Sequence, residues 1–273
     1  MNRIVLALLL VLPSAALAQW KTVAPGVEYR HFVDSGRDIH VTRIDLLNQK
    51  LRVIASSEAD RGLTVREFAK KRHAIVAING DYFDKDMNPI GLAVGACGAW
   101  KGTRDTKREA VVAFGDGNRA HIDPEREVMD PPEPWIEAAV SGWPSIVVDC
   151  DARTSSELPG SDGFTRTAHP RTAVGLTFDR RQLVFVVADG RRANVPGLTL
   201  AELARFMADE LSVCTALNLD GGGSTTMWVD GRIVNKPSDG FERPVADHLA
   251  IIASDDAVRC ETIEVPMREA TRK

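Results

Sequence analysis

The pattern of apolar and polar positions along the chain predicts many short strands and few helices. The apolar segments are short, many alternate with polar residues, and turn-forming Gly, Asp, Asn and Pro separate them. Strands are predicted over 27–32, 39–46, 51–55, 73–78, 109–114, 146–148, 171–178, 182–188, 213–219, 226–229, 232–234 and 249–253. This pattern is typical of antiparallel hairpins.

Two helices are predicted from capping boxes, in which Thr precedes Glu by three residues, at Thr64 and Thr199. Each helix precedes a strand, and alignment of these strands places Asn79 over Asn218 and Asp81 over Asp220. We interpret this as a repeated helix–strand unit whose strand ends lie close together in one sheet. The predicted fold class is mixed α/β, with a strand-rich mixed sheet core, this repeated unit and peripheral hairpins.

The beginning of the chain has the pattern of a secretory signal peptide. One positive charge precedes the apolar segment 4–12, which is too short to span a bilayer, and Ala-Leu-Ala precedes Gln19. We expect a signal peptide over 1–18, one domain over 19–254 and a charged tail over 255–273. The protein is then exported, to the periplasm or the medium.

Composition and cysteine content agree with an exported globular protein. The chain has 44% hydrophobic and 26% charged residues, and its net charge of -4 gives no basic surface for nucleic acid. No later segment is apolar enough for a membrane helix, and oligomeric state is left open. The four cysteines are Cys97, Cys150, Cys214 and Cys260. They allow three pairings and lack C-x-x-C spacing, so we expect at least one disulfide and no zinc site.

The segment 216–226 contains the most unusual local pattern. A predicted strand brings Asn218 and Asp220 to one face, and three consecutive glycines, Gly221 to Gly223, follow. Glycine weakens a strand, but its backbone N–H groups form anion-binding concavities when they point to one place. A tight turn between two strands and an anion site both remain open interpretations.

Five ordered motifs resemble those of the phosphodiester glycosidase family, which has lysosomal and exported bacterial members. They are Asn79 to Phe83, Ser141-Gly142, Pro170 to Gly175, Ala188 to Gly190 and Asn218 to Ser224. The resemblance extends from about Pro25 to Ile252. It implies hydrolysis of the bond between a sugar and the phosphate of a phosphodiester. Asp81 and His248 depart from the family pattern and leave the identity of the sugar open.

Three residues are the predicted catalytic groups. Arg171 has a planar guanidinium that binds two phosphate oxygens, and the glycine amides support the same anion. Asp220 and Asp189 end strands before glycine, and an oxocarbenium-like transition state needs a carboxylate near the anomeric carbon. A structural ion pair between Arg171 and Asp189 remains an alternative.

The remaining motif residues are expected to bind substrate: Asn79, Asp81, Tyr82, Phe83, Ser141, Gly142, Thr172, Asn218, Gly221, Gly222, Gly223, Ser224 and Thr225. Tyr82 and Phe83 could instead belong to the core, and the two asparagines could cap turns. His169 is the histidine to watch because it precedes the third motif. The loop 155–168 is the expected mobile lid.

Two other functional classes remain open. A binding module for sugar phosphates or envelope polysaccharides would keep the glycines and Arg171 without turnover. A metal-dependent phosphodiesterase would use Asp81, Asp189 and Asp220 as oxygen ligands for a divalent cation. We predict no cofactor, and the expected partner is a small-molecule or polysaccharide sugar phosphate.

Overall fold

A computed structural model describes residues 19–34, 36–95, 98–105, 110–122 and 131–256. The predicted signal peptide, Cys97, Cys260 and nearly all of the predicted tail lie outside these residues. Within them, the strands are β1 (Lys21–Ala24), β2 (Val27–Asp34), β3 (Arg37–Asp45), β4 (Leu51–Ala55), β5 (Val76–Asn79), β6 (Val94–Gly95), β7 (Gly98–Ala99), β8 (Ala110–Gly115), β9 (Ala120–Ile122), β10 (Ile136–Gly142), β11 (Ser145–Val148), β12 (Asp151–Ala152), β13 (Arg171–Thr177), β14 (Gln182–Ala188), β15 (Val213–Asn218), β16 (Met227–Val229), β17 (Arg232–Ile233) and β18 (His248–Ala253).

The helices are few and short. They are α1 (Val65–Lys71), α2 (Asp162–Thr165) and α3 (Leu200–Arg205), and a π-helical turn over Phe206–Glu210 continues α3. Both predicted capping boxes are present, because Thr64 and Thr199 each accept a hydrogen bond from the backbone N–H of the glutamate three residues later. None of the helices in the described ranges is long and apolar enough to cross a membrane.

The strands form three sheets, and their pairings are antiparallel. The eight-stranded sheet has the order β1-β2-β3-β14-β13-β15-β11-β12. One five-stranded sheet has the order β17-β16-β5-β18-β4, and the other has the order β7-β6-β10-β8-β9. The predicted strands and hairpins are therefore present, with ends that shift by a few residues.

The main core lies where the three sheets meet. It contains Phe185 from the eight-stranded sheet, Ile78 from the sheet of β5 and Phe114 from the sheet of β8, each at most 1% exposed. The outer face of the eight-stranded sheet packs against α3 through residues such as Leu203, and α1 covers the sheet of β5 through Phe68. Helices therefore cover sheet faces whose opposite sides form the shared core.

The predicted placement of the two similar strands in one sheet is wrong. β5 lies in a five-stranded sheet, whereas β15 lies in the eight-stranded sheet. The structure thus shows a strand-rich mixed fold with several sheets, but it does not show a repeated unit within one sheet. The ends of β5 and β15 nevertheless meet, and this meeting builds the candidate site.

One disulfide joins Cys150, just after β11, to Cys214 in β15, across a sequence separation of 64 residues. The expectation of at least one disulfide is therefore confirmed. The bond links two neighbouring strands of the eight-stranded sheet. Disulfides persist in oxidising compartments, so this feature is consistent with export.

Candidate active site

The backbone of Asp220 is held by a sheet to which its own strand does not belong. Asp220 follows β15, yet its N–H donates to Gly80 O at 3.1 Å, just after β5. Asn79 Nδ2 donates to Asp220 O at 2.7 Å. Two strand ends from different sheets therefore fix the position of Asp220.

Asn79 makes hydrogen bonds to three different segments at this junction. It is fully buried, and its Oδ1 accepts hydrogen bonds from Thr172 Oγ1 at 2.8 Å and from Thr226 N at 3.2 Å. Since Nδ2 already donates to Asp220, both ends of the amide serve the protein framework. Buried polar groups satisfied in this way fix one arrangement of their neighbours.

A second set of hydrogen bonds supports the end of β15 from the other side. Asn218 Nδ2 donates to Tyr82 Oη at 2.6 Å and to Trp143 O at 2.8 Å, and Tyr82 Oη donates to Trp143 O at 3.2 Å. Burial raises the pKa of Tyr82, so the phenol keeps its proton. Gly142 packs so closely on Asn218 O that a Cβ would collide with it.

Two buried carboxyl groups lie beneath the junction. Asp81 N donates to Asp247 Oδ1 at 2.7 Å, and Ser141 N donates to Asp81 Oδ1 at 2.6 Å. Burial and the neighbouring Asp247 raise the pKa of Asp81, and burial also raises the pKa of Asp247. Like charges cannot both ionise cheaply in a buried pair, so Asp81 holds its proton more strongly than an exposed carboxyl group does.

A cavity of about 480 Å³ opens above Asp220. Asp220 and the three glycines form its floor, and the segment around α2 forms one wall. That wall belongs to the loop 155–168, which was predicted as a lid. His169 follows the loop, and its Nε2 lies 2.8 Å from Gly163 O. The lining residues are Ser161, Gly163, Phe164, His169, Arg191, Asp220, Gly221, Gly222, Gly223 and Arg243.

Asp220 is the carboxyl group that faces this cavity. Its side chain is half-buried, and Gly221 N donates to Oδ1 at 2.9 Å. Burial raises the pKa of Asp220 to about 6, although a hydrogen bond from Ser224 and the charges of Arg243 and Arg191 oppose that rise. A raised pKa in a carboxyl group that faces a cavity is typical of functional sites.

The glycine turn is only partly available to an anion. Gly221 N donates to Asp220 Oδ1, and Gly222 N donates to Pro170 O at 2.9 Å. Gly222 has a φ of 59° in this turn, which glycine adopts without strain. Both amides thus have protein acceptors, and an anion site formed by the three glycine amides stays a prediction.

Two arginines that were not predicted from the sequence line the cavity. Arg191 is exposed, and Arg243 is half-buried, with its Nη2 2.6 Å from Asp239 Oδ2 and its Nη1 3.5 Å from Ser224 Oγ. Both arginines lower the pKa of Asp220 through their charge, so they act on the same space as the carboxylate. Guanidinium groups are the usual partners of phosphate.

Arg171 does not line the cavity. Its side chain is buried and donates to three carbonyl oxygens, at 3.0 Å to Leu198, 2.6 Å to Phe164 and 3.2 Å to Thr167. Burial lowers its pKa to about 10, which leaves the guanidinium charged at neutral pH. These contacts favour a positioning role for the α2 segment.

Asp189 lies in a different environment from Asp220. Its carboxylate accepts hydrogen bonds from Lys236 N at 3.0 Å, Asn235 Nδ2 at 3.1 Å and Arg192 Nη2 at 3.0 Å. Its ion-pair partner is Arg192 rather than Arg171, so the alternative of an Arg171–Asp189 pair is wrong. Burial raises the pKa of Asp189.

Several other predicted site residues are buried inside the protein. Ser141, Thr172, Ser224 and Thr225 are at most 1% exposed. Phe83 is half-buried and forms an isolated bridge with Pro89. His248, which departs from the family pattern, is buried against Phe68 and has its pKa lowered to about 4 by burial.

The three aspartates considered as metal ligands do not lie close enough together to bind one ion. Asp81 contacts Asp247, Asp189 contacts Arg192, and Asp220 faces the cavity. Their carboxylate oxygens do not lie within 4.8 Å of one another, as a shared ion requires. The arrangement of the described residues therefore does not support the alternative of one metal ion held by these three aspartates.

Together these features define a strand-rich domain with a pocket that is lined by a carboxylate at its base and by two arginines at its edge. A family model for phosphodiester glycosidases matches residues 72–252, more than half of the chain. The chain belongs to the phosphodiester glycosidase family.

Several known proteins are similar to the chain. The SPbeta prophage-derived uncharacterized protein YomE of Bacillus subtilis (strain 168) is 30% identical over 208 residues, covering 74% of this chain and 31% of that protein. Human N-acetylglucosamine-1-phosphodiester alpha-N-acetylglucosaminidase is 30% identical over 252 residues, covering 79% of this chain and 45% of that protein. The chain thus spans less than half the length of these curated relatives.

Two solved structures share the fold. The catalytic domain of zebrafish N-acetylglucosamine-1-phosphodiester alpha-N-acetylglucosaminidase, auto-inhibited by its pro-peptide, superposes with a TM-score of 0.67 at 20% identity, covering 88% of this chain and 84% of that domain. A hypothetical protein from Synechocystis gives a TM-score of 0.71 at 11% identity, covering 88% of this chain and 64% of that protein.

Proposed function

We propose that the chain is a hydrolase that cleaves the glycosidic bond between a sugar and the phosphate of a phosphodiester. One observation carries the proposal: Asp220, with a pKa raised to about 6, forms the floor of a cavity rimmed by Arg191 and Arg243. The pocket offers a carboxylate for the sugar and two cations for the phosphate. The names of the mouse, bovine and human relatives suggest N-acetylglucosamine-1-phosphodiesters as the first substrates to test.

Asp220 is the proposed catalytic carboxylate. Departure of the phosphate leaves positive charge at the anomeric carbon, and an adjacent carboxylate stabilises that charge. The leaving phosphate is already a stable anion, so the reaction needs little protonation of the leaving group. A single carboxylate with a pKa of about 6 is ionised at neutral pH and suits this task.

Arg191 and Arg243 are the proposed phosphate-binding residues. Both line the cavity, whereas the guanidinium of Arg171 donates its hydrogen bonds to carbonyl oxygens. Each guanidinium presents several N–H donors that match phosphate oxygens. Arg243 also contacts Asp239, which holds its side chain over Gly223.

Arg171 and Asp189 are proposed to position the site. Arg171 fixes the carbonyls of Phe164 and Thr167, and so sets the wall of the cavity. Asp189 ties the end of β14 to the backbone of Lys236. A direct catalytic role for either residue stays a prediction, and Arg171→Lys tests it because lysine keeps the charge but loses the planar fork.

Hydrolysis in ¹⁸O-labelled water tests the proposal. Attack at the anomeric carbon places the label in the released sugar, and mass spectrometry of both products locates it. Label in the phosphate would instead indicate a phosphodiesterase. Saturable binding without product would indicate a binding module. Asp220→Asn is the matched control, since it keeps the shape of the side chain and removes its charge.

We also propose that residues 19–254 form the hydrolase domain of an exported, periplasmic or secreted protein. The disulfide between Cys150 and Cys214 supports this proposal, because such bonds persist outside the reducing cytosol. Fractionation of expressing cells, followed by N-terminal sequencing of the exported form, checks the location and the cleavage near Ala18-Gln19. Protein that remains in the cytosol with Met1 in place would contradict it.

A further inference from the structure

A separate cluster of polar side chains lies on the hairpin of β2 and β3. His31 and His40 are direct cross-strand partners, and Asp38 lies two residues before His40 in β3. Alternate residues of a strand share a face, so the three side chains lie on the same face of the hairpin. Ile39 and Val41 point to the opposite face, into the core beneath α3.

Three ligand atoms of this cluster converge. His31 Nε2 lies 2.6 Å from Asp38 Oδ1, and His40 Nε2 lies 3.5 Å from the same oxygen. The two imidazole rings stack with their centroids 4.2 Å apart, and all three ligand atoms lie within 4.8 Å of one another. Tetrahedral zinc with bonds near 2.0 Å places its ligand atoms about 3.3 Å apart, so small rotations suffice.

The outer contacts of His40 and Asp38 resemble those around metal ligands. Tyr29 Oη lies 2.7 Å from His40 Nδ1, which fixes the ring with Nε2 directed at the cluster. Arg192 Nη2 donates to Asp38 Oδ2 at 2.7 Å and to Asp189 Oδ2 at 3.0 Å. Ligating histidines and carboxylates are usually oriented by such partners. Arg192 thus holds Oδ2 of Asp38, whereas the neighbours of Oδ1 are the two histidine nitrogens with which it would share an ion.

The cluster is accessible from one side. The side chain of His40 is 4% exposed and that of Asp38 is 13% exposed, whereas that of His31 is 41% exposed. An ion can therefore enter past His31, and solvent can fill a remaining coordination position. β3 and β15 are separated by β14 and β13, so the cluster lies about 14 Å from the strand that carries Asp220.

We propose that His31, Asp38 and His40 bind one divalent transition metal ion of the zinc class. Two imidazole nitrogens and one carboxylate oxygen suit zinc and its neighbours, whereas magnesium and calcium prefer sets of oxygen ligands. The ion would join the two strands of the hairpin. It would also connect them, through Asp38 and Arg192, to the loop that carries Arg191.

Metal binding by the full chain, without an affinity tag, tests the proposal. The protein is stripped with a chelator, dialysed and titrated with Zn²⁺ by calorimetry. We expect one Zn²⁺ per chain, and we expect His31→Asn to weaken binding at least about 100-fold. His73→Asn is the matched control, because His73 is exposed and its φ of 51° suits asparagine.

A second measurement reports on the ligands themselves. Co²⁺ in place of Zn²⁺ should give the intense visible absorption of a tetrahedral nitrogen and oxygen site in the wild type and in His73→Asn, and lose it in His31→Asn. Zn²⁺ should raise the melting temperature of the first two proteins only. Equal Zn²⁺ affinity in His31→Asn and wild type, less than one ion per chain, or displacement of Zn²⁺ by equimolar Mg²⁺ would each overturn the proposal.

Discussion

Asp220→Asn is expected to stabilise the folded protein above pH 6 while it removes activity. The reason is the burial of a charge. Burial raises the pKa of Asp220 from 3.8 to about 6, so the folded protein holds a proton that the unfolded chain releases between these values. Unfolding then releases a proton, and stability falls as pH rises through this window.

The size of the effect follows from the two pKa values. A difference between 3.8 and about 6 corresponds to about 3 kcal/mol of folding stability. The wild type keeps this stability below about pH 4 and has lost all of it above pH 6. Asparagine keeps an oxygen that accepts the hydrogen bond from Gly221 N but carries no charge. The variant should therefore match the wild type near pH 4 and exceed it by about 2–3 kcal/mol at pH 8.

Urea denaturation of both proteins at several pH values, followed by circular dichroism, measures this difference. Asp86→Asn is the control, because Asp86 is an exposed carboxylate and its replacement should change stability by less than about 0.5 kcal/mol. A difference between Asp220→Asn and wild type that does not vary with pH would refute the reasoning. So would a destabilised variant at pH 8.

Three further predictions concern activity and the disulfide. The kcat/KM of the wild type should fall about tenfold per pH unit below pH 6, where Asp220 becomes protonated; a flat profile would contradict an ionised carboxylate. Arg191→Ala and Arg243→Ala should each lower kcat/KM for a phosphodiester by about 10²-fold, yet change hydrolysis of a neutral aryl glycoside far less, and equal losses on both substrates would argue against phosphate binding. Cys150→Ser should lower the free energy of unfolding by about 4 kcal/mol, because a 64-residue loop is no longer closed, and an unchanged urea midpoint would show otherwise.

The local parts of the fold could be predicted from the sequence. The capping boxes at Thr64 and Thr199 depend on four neighbouring residues, and alternation of apolar residues marks most strands correctly. Sheet membership could not be predicted in this way. β5 and β15 look alike in sequence, but the long-range partners β18 and β13 place them in different sheets.

The candidate site shows the same contrast between local motifs, which the sequence reveals, and long-range placement, which it does not. Asp220 and the glycines stand in one contiguous motif, and Asn79 stands in a motif that mirrors theirs, so the sequence singles out residues that meet at one junction. Arg191 and Arg243 come from loops with no periodic pattern, and Arg191 has a φ of 56°, which its sequence does not signal. Arg171 is a different case: its motif position does not show whether the side chain faces a cavity or backbone carbonyls, and the structure directs it to carbonyls.

The bond from Asn79 to Asp220 spans 141 residues of sequence, so the floor of the cavity forms only when segments far apart in the chain come together. Contacts between distant residues require closure of a long loop and form slowly. A partly folded chain with only one of the two sheets in place has no fixed Asp220 and no floor for the cavity. Assembly of the cavity floor therefore depends on the docking of the two sheets and not on either sheet alone.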